Sequence, residues 1–379
     1  MNYFTKDKPY NSLHEYYKHK YGHKVAKISL NCGFTCPNRD GKKGYGGCTY
    51  CSKNLSGDFA GDKNKSLHDQ FNDIKAVMEK KWKNILYMPY FQAGSNTYAP
   101  VDYLKNIFEE SLTFAPDKTI GISIATRGDC INKKIADMLG ELNKKTHVQV
   151  ELGLQTSNEK TSELINRKMT NDELEIAVDL LRKHNIEVVL HIINGLPNET
   201  ENDMLETINY VNKLDIQGIK IHSLLILNDT IMADEYNKNP FKILSLNEYV
   251  DITVKQICNL RPDIIIHRLA ADGNIKDLIE PKWTIKKMVV MNEIDKKMRK
   301  EGLYQGMNYE KDWLFSIFFY SPGQPSFMIE YLLLNFSSYT SSARYGRIGN
   351  IVLINVKILS FDGISLITYC ILKFFIKVI

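Results

Sequence analysis

The sequence predicts an α/β fold, a partial (β/α)6 TIM-like barrel with a small α-rich C-terminal extension. Three observations lead there. Between Val25 and Ser223, six short β-branched runs alternate with longer amphipathic segments, as parallel βαβ units do. The unusual polar residues of that region fall where the runs end, which is where parallel α/β folds hold their ligands. At 379 residues, 44% hydrophobic and 25% charged, the chain is ordinary globular protein, long enough for one large α/β domain and an appendage. Six units are too few to close an eight-stranded barrel, and a flat doubly wound sheet is the competing shape.

In chain order, residues 1–24 form an arm that mixes lysines with Tyr3, Phe4, Tyr10, Tyr16, Tyr17 and Tyr21. The first 47 residues hold nine basic and three acidic side chains, so the overall net charge of +5 hides a basic start and an acidic body. Such an arm either packs its aromatics on the body, the commoner outcome, or grips an RNA backbone and stacks bases. It contains no apolar signal-like run, so a cytoplasmic location is expected.

The barrel region, 25–229, has candidate strands at Val25–Leu30, Ile85–Phe91, Ile120–Ile124, Val148–Leu152, Val188–Ile193 and Gly218–His222. Candidate helices lie near Leu67–Lys80, Val101–Leu112, Lys133–Leu142, Asp172–His184 and Glu201–Lys213. At the strand ends stand Gln92, Ser95 and Asn96, then Thr126 and Arg127, Gln155, Asn194 and His222. The extension, 230–312, carries Cys258 on an amphipathic pattern that reads as core. From Trp313 onward only seven of 67 residues are charged, a break in composition that marks a separate tail, 313–379. Its apolar runs, Ile348–Val356 and Gly363–Leu372, fall short of the roughly 18–20 residues a membrane span needs.

Four of the seven cysteines cluster in NCGFTCPNRDGKKGYGGCTYC, directly after the first strand. That excludes a disulfide scaffold and predicts a local metal or cluster site. Four thiolates from Cys32, Cys36, Cys48 and Cys51 suit a tetrahedral zinc ion. Three, from Cys36, Cys48 and Cys51, suit a [4Fe–4S] cluster with one iron left open. Spacing alone leaves the two readings even. Position favours the cluster, because the loop sits at the ligand-binding edge and its glycines let it wrap an object closely.

Those residues, with YFQAGSNTYAPVDYL, SIATRGDCI, VELGLQTSNEKTSELINR, HIINGLPNET and IKIHSLLILNDT, resemble the radical SAM enzymes. More narrowly they resemble the YhcC/YtqA-type family related to the elongator-type radical SAM proteins, from about Tyr10 to Gly306. The resemblance implies that Cys36, Cys48 and Cys51 ligate a [4Fe–4S] cluster whose fourth iron is chelated by S-adenosylmethionine. It implies reductive cleavage to a 5′-deoxyadenosyl radical, with electrons from a donor such as flavodoxin or ferredoxin. Cys32 falls outside the family's motif. Gln92 and Ser95 occupy the loop that receives the methionine amino group in relatives, although this chain reads QAGS there. Gln155 and Arg167 correspond to a pair holding ribose and methionine carboxylate, and His191 to a ribose-contacting position. Glu151 is expected behind these residues, with Arg127, Asn96 and His222 on the substrate side. Together with the basic arm, the elongator-like relatives suggest tRNA as a substrate. The alternative of another class is a zinc-stabilised nucleic-acid-binding protein without catalysis.

Overall fold

Strict alternation along the strands builds the barrel wall. In β1 (Val25–Leu30) Ala26, Ile28 and Leu30 are buried in the hydrophobic core, while Lys27 and Ser29 face a central cavity. The structure, a computed structural model, describes residues 2–271 and 273–309 together with five short strands further on. β2 (Leu86–Phe91), β3 (Gly121–Thr126), β4 (His147–Gln155), β5 (Glu187–Asn194) and β6 (Gly218–Ser223) follow in the same parallel sheet. After a two-residue β7 (Ile226–Leu227), β8 (Ile265–Arg268) adds a seventh strand parallel to β6. Spatial order equals chain order across these seven strands. A doubly wound sheet reverses its order at a switch point, so the structure is the half-barrel instead. The seventh strand was not legible as one because only four residues pair, between Pro262 and Leu269.

Amphipathic helices cover the outer face: α2 (Leu67–Lys81), α3 (Val101–Leu112), α4 (Lys133–Asn143), α6 (Asn171–Arg182) and α7 (Glu201–Lys213), with a short α5 (Glu159–Leu164) before α6. Their starts are chemically marked. Ser66 and Asn132 cap α2 and α4, and Thr170 and Thr200 form capping boxes with Glu173 and Asp203. The extension contributes α8 (Ile231–Lys238), α9 (Leu246–Asn259), β9 (Leu278–Glu280), which pairs with β7, and α10 (Lys287–Glu301).

The N-terminal arm belongs to this body. Its helix α1 (Leu13–Tyr21) touches both β1 and β8, the first and last strands of the sheet, and so spans the seam between them. Tyr10 and Tyr17 are 1% and 3% exposed, so these rings pack on the protein as the commoner reading of the arm expected. Tyr10 donates to Asp295 on α10 at 2.8 Å, and Tyr16 to Glu187 at the start of β5 at 2.9 Å. The Asn11 carbonyl accepts from Ile266 of β8, covering the sheet edge there.

Residues 310–379 form a separate unit. Its described backbone comprises an antiparallel pair, β10 (Ile317–Phe318) with β11 (Met328–Ile329), and a meander of β12 (Arg344–Ile348), β13 (Ile351–Asn355) and β14 (Tyr369–Lys373). The rest of the predicted tail lies outside the described residues. No helix among the described residues is long and apolar enough to cross a membrane.

Candidate active site

A cavity of about 700 Å³ runs from the cysteine loop at the carboxyl edge of the sheet down the inner barrel wall. Cys36, Cys48 and Cys51 line it. Cys32 does not; its side chain packs against the hydrophobic core. Among the described residues, no three His, Cys, Asp or Glu side chains converge tightly enough to hold a single metal ion. Cys32 thus stands apart from the other three thiols, and three cysteines rather than four face the cavity.

The cysteine loop is docked from several sides. The Asn38 amide donates to the Asn166 carbonyl at 2.7 Å and approaches Cys48 Sγ at 3.7 Å, and Asn166 donates back to the Gly47 carbonyl at 2.8 Å. Arg39 donates to the carbonyls of Cys51 and Ser52 at 2.8 and 2.6 Å. Burial, reinforced by neighbouring Cys48, pushes the Cys51 thiol up to about 11.

Gln92 and Ser95 stand beside this loop and hold it. Gln92 Nε2 donates to the Ser56 carbonyl at 2.7 Å, and the Ser95 amide to the Thr35 carbonyl at 3.0 Å. Between them Gly94 has φ +77°, and a Cβ there would lie 2.4 Å from the Phe34 carbonyl oxygen. The QAGS turn approaches the loop this closely only because it carries glycine.

Gln155 ends β4 at a bulge, with φ +67°. A left-handed non-glycine residue at a cavity wall is held there by its surroundings. Arg167 supplies much of that hold. It is 1% exposed and donates to the carbonyls of Leu154, Thr156 (2.9 Å) and Met169 (2.9 Å) and to Asn171 Oδ1 (3.0 Å). Although it lines the cavity, most of its donors are spent on the exit of β4. Arg127 is similarly engaged, forked onto Asp129 at 2.9 and 2.8 Å and bonded to the Arg167 carbonyl. Asn96 is buried on the Ala125 carbonyl and is absent from the cavity wall.

Deeper, the wall is charged. Glu151, its side chain fully buried, accepts from Lys27 (2.5 Å), Lys220 (2.5 Å), Tyr90 (2.7 Å) and Ser123 (3.1 Å), and its second oxygen lies 2.9 Å from His191 Nε2. Burial alone would raise the Glu151 carboxyl, but Lys220 and Lys27 outweigh it and hold it well below the carboxylate range. Burial lowers His191 to about 4, so its imidazole is neutral near pH 7. His222 and His267 share this wall.

The structure thus brings Cys36, Cys48, Cys51, Gln92, Ser95, Gln155, Arg167 and His191 to one cavity. Lys27, Tyr90 and Lys220 were not anticipated. Their signal was present: VAKISL and GIKIHS each place a lysine at an inward position of an otherwise apolar strand.

A parallel half-barrel with a three-cysteine loop at its carboxyl edge defines the class. The chain belongs to the radical SAM superfamily, whose pattern it matches over residues 31–211, followed by the Radical_SAM C-terminal domain over 216–300. It is a radical SAM enzyme, and the family's cofactors are a [4Fe–4S] cluster and S-adenosylmethionine. It is 45% identical to YtqA of Bacillus subtilis over 309 residues, covering 82% of this chain and 95% of that one. It is 32% identical to YhcC of Escherichia coli over 296 residues, covering 78% and 94%. The solved structure of Elp3 from the archaeon Methanocaldococcus infernus shares the fold, with TM-score 0.56 and 14% identity over 87% of this chain and 73% of that one.

Proposed function

We propose that Cys36, Cys48 and Cys51 ligate the cluster, that Gln92, Ser95, Gln155, Arg167 and His191 form the S-adenosylmethionine side of the cavity, and that the substrate is tRNA. The observation carrying this reading is the single cavity joining the three thiols to the strand-end polar residues. When bound, the cluster supplies the electron that cleaves S-adenosylmethionine to methionine and a 5′-deoxyadenosyl radical, with flavodoxin or ferredoxin as the electron source.

The chain's own residues bind, orient and shield. Gln92 and Ser95 fix the cysteine loop against β2, and Arg167 fixes the β4 exit, so Gln155 is presented in one conformation. Neutral His191, anchored on Glu151, offers a hydrogen-bonding group without a competing charge. For RNA, the support is the basic start of the chain and two tRNA-2-methylthio-N(6)-dimethylallyladenosine synthases that are 29% and 23% identical over 112 and 181 residues. Because Tyr10 and Tyr17 are buried, the arm's contribution is its exposed lysines, acting on phosphates.

The test is anaerobic reconstitution with iron and sulfide, reduction, and assay for 5′-deoxyadenosine with and without tRNA. Colourless protein that holds zinc and makes no 5′-deoxyadenosine refutes the chemistry. For the RNA reading, Lys6→Glu with Lys18→Glu lowers tRNA affinity and cuts the salt slope by about 1–2; binding unchanged by the pair refutes the arm's part.

A further inference from the structure

The charged wall of the cavity holds more binding capacity than its own contacts use. Glu151 is saturated, with five polar neighbours on two oxygens. Lys27 is also spent, since its ammonium donates to Ser123 at 3.0 Å and Gln149 at 2.6 Å as well as to Glu151. Lys220 is not. It donates to Glu151 and, at 3.4 Å, to the Tyr90 hydroxyl, which leaves one N–H in hand.

Two buried imidazole nitrogens beside it also lack partners, His222 Nε2 and His267 Nδ1. His222 follows Lys220 on the same face of β6. The His267 ring lies over Gly218, where a Cβ would sit 2.6 Å from Nε2, so β8 presents it next to the same strand. The charge count agrees with the donor count, because two ammonium groups share one carboxylate. Crowding by burial and by Lys27 and Arg268, against the pull of Glu151, lowers Lys220 to about 7, a strain that a bound negative charge relieves.

We propose that Lys220, His222 and His267 form a subsite for a compact anionic group of the substrate, a phosphate or a carboxylate. The inference rests on reading the cavity as the substrate chamber. Lys27 and Glu151 position the subsite: Lys27 adds charge, and Glu151 holds the Lys220 ammonium in place before the anion arrives. Lysine suits this task as a compact point charge with rotatable donors.

The experiment titrates inorganic phosphate and, separately, acetate into the full reconstituted chain by calorimetry, at constant ionic strength in chloride. Saturable one-site binding of either anion is expected, and which of the two binds tighter identifies the source of the charge. Lys220→Gln weakens it by about 10-fold or more, the loss of one charge-assisted bond, and Lys220→Arg restores most of it. His222→Asn, a milder change that keeps the cations, weakens binding by about 3–10-fold. Lys144→Gln, on the exposed face of the barrel, leaves it unchanged. No saturable binding of either anion, or equal affinity in Lys220→Gln and the parent, overturns the proposal. Visible absorption of the cluster is followed in every sample. A parent protein that binds the anion yet takes up no cluster overturns the proposed function and leaves the subsite standing.

Discussion

Glu199 lies in the NGLPNE stretch after β5, and its carboxylate accepts from Thr156 Oγ1 at 2.5 Å. Thr156 follows Gln155, so this bond anchors the β4 exit that shapes the cavity. Burial, with help from nearby Asp203 and against the Thr156 bond, raises the carboxyl from its ordinary 4.5 to about 7. The folded protein then holds this proton more tightly than the unfolded chain does. Stability from this group is fullest below 4.5 and declines as pH rises through 7. At 1.36 kcal/mol per pH unit the full loss is about 3 kcal/mol, of which about 2 kcal/mol falls between pH 5.5 and 8. Glu199→Gln keeps the shape and the Thr156 partner but cannot ionise. Urea unfolding followed by far-ultraviolet circular dichroism should find the variant more stable than the parent by about 1 kcal/mol at pH 5.5 and about 3 kcal/mol at pH 8. A gap that does not widen with pH, or a variant less stable at pH 8, refutes the reasoning.

Four other substitutions probe the site. Cys48→Ala should abolish the cluster's visible absorption and 5′-deoxyadenosine formation, while Cys32→Ser should leave iron content at the parent level; equal iron loss in both would restore a four-ligand reading. Glu151→Gln strands two buried ammonium groups and should cost about 3–5 kcal/mol near neutral pH. Because the Glu151 carboxyl is held well below 4.5, its contribution is present above that value and lost as pH falls, so the variant's deficit should shrink in acid. Arg167→Lys removes the planar fork that joins three carbonyls and Asn171, and should cost about 2–4 kcal/mol in unfolding experiments and weaken S-adenosylmethionine binding; an unchanged melting profile would contradict the anchoring role.

The barrel was legible because its strands announce themselves twice, by β-branched runs and by polar residues at their ends. All six expected strands are present, the first with its bounds unchanged and the others with bounds moved by at most three residues. β8 was hidden because four residues give too short an alternation to separate from a loop. The clustering of four cysteines after β1 was legible, yet spacing alone leaves zinc and a cluster even; that Cys36, Cys48 and Cys51 line the cavity while Cys32 packs on the core is a tertiary fact. The resemblance points to Arg167 as a cofactor contact, and the sequence does not show that it also anchors the β4 exit. Its carbonyl partners are backbone groups, which no sequence pattern displays. The same holds for the Glu151 cluster, whose members come from all six strands β1 to β6 and meet only when the sheet curls.

The seam helix ties the beginning of the chain to its far end. Asn11 N donates to Gln305 Oε1 at 2.9 Å, Gln305 N donates to the Pro9 carbonyl, and Ile266 N donates to the Asn11 carbonyl. During synthesis, α1 can meet β1, Met88 and Glu187 early, yet the Pro9–Asn11 stretch before it gains its Gln305 bonds only after residue 305 has left the ribosome. Truncations that stop short of residue 305 should therefore free the Pro9–Asn11 stretch from its Gln305 clasp while α1 stays packed on β1 and β8, a consideration for any fragment made to study cluster assembly.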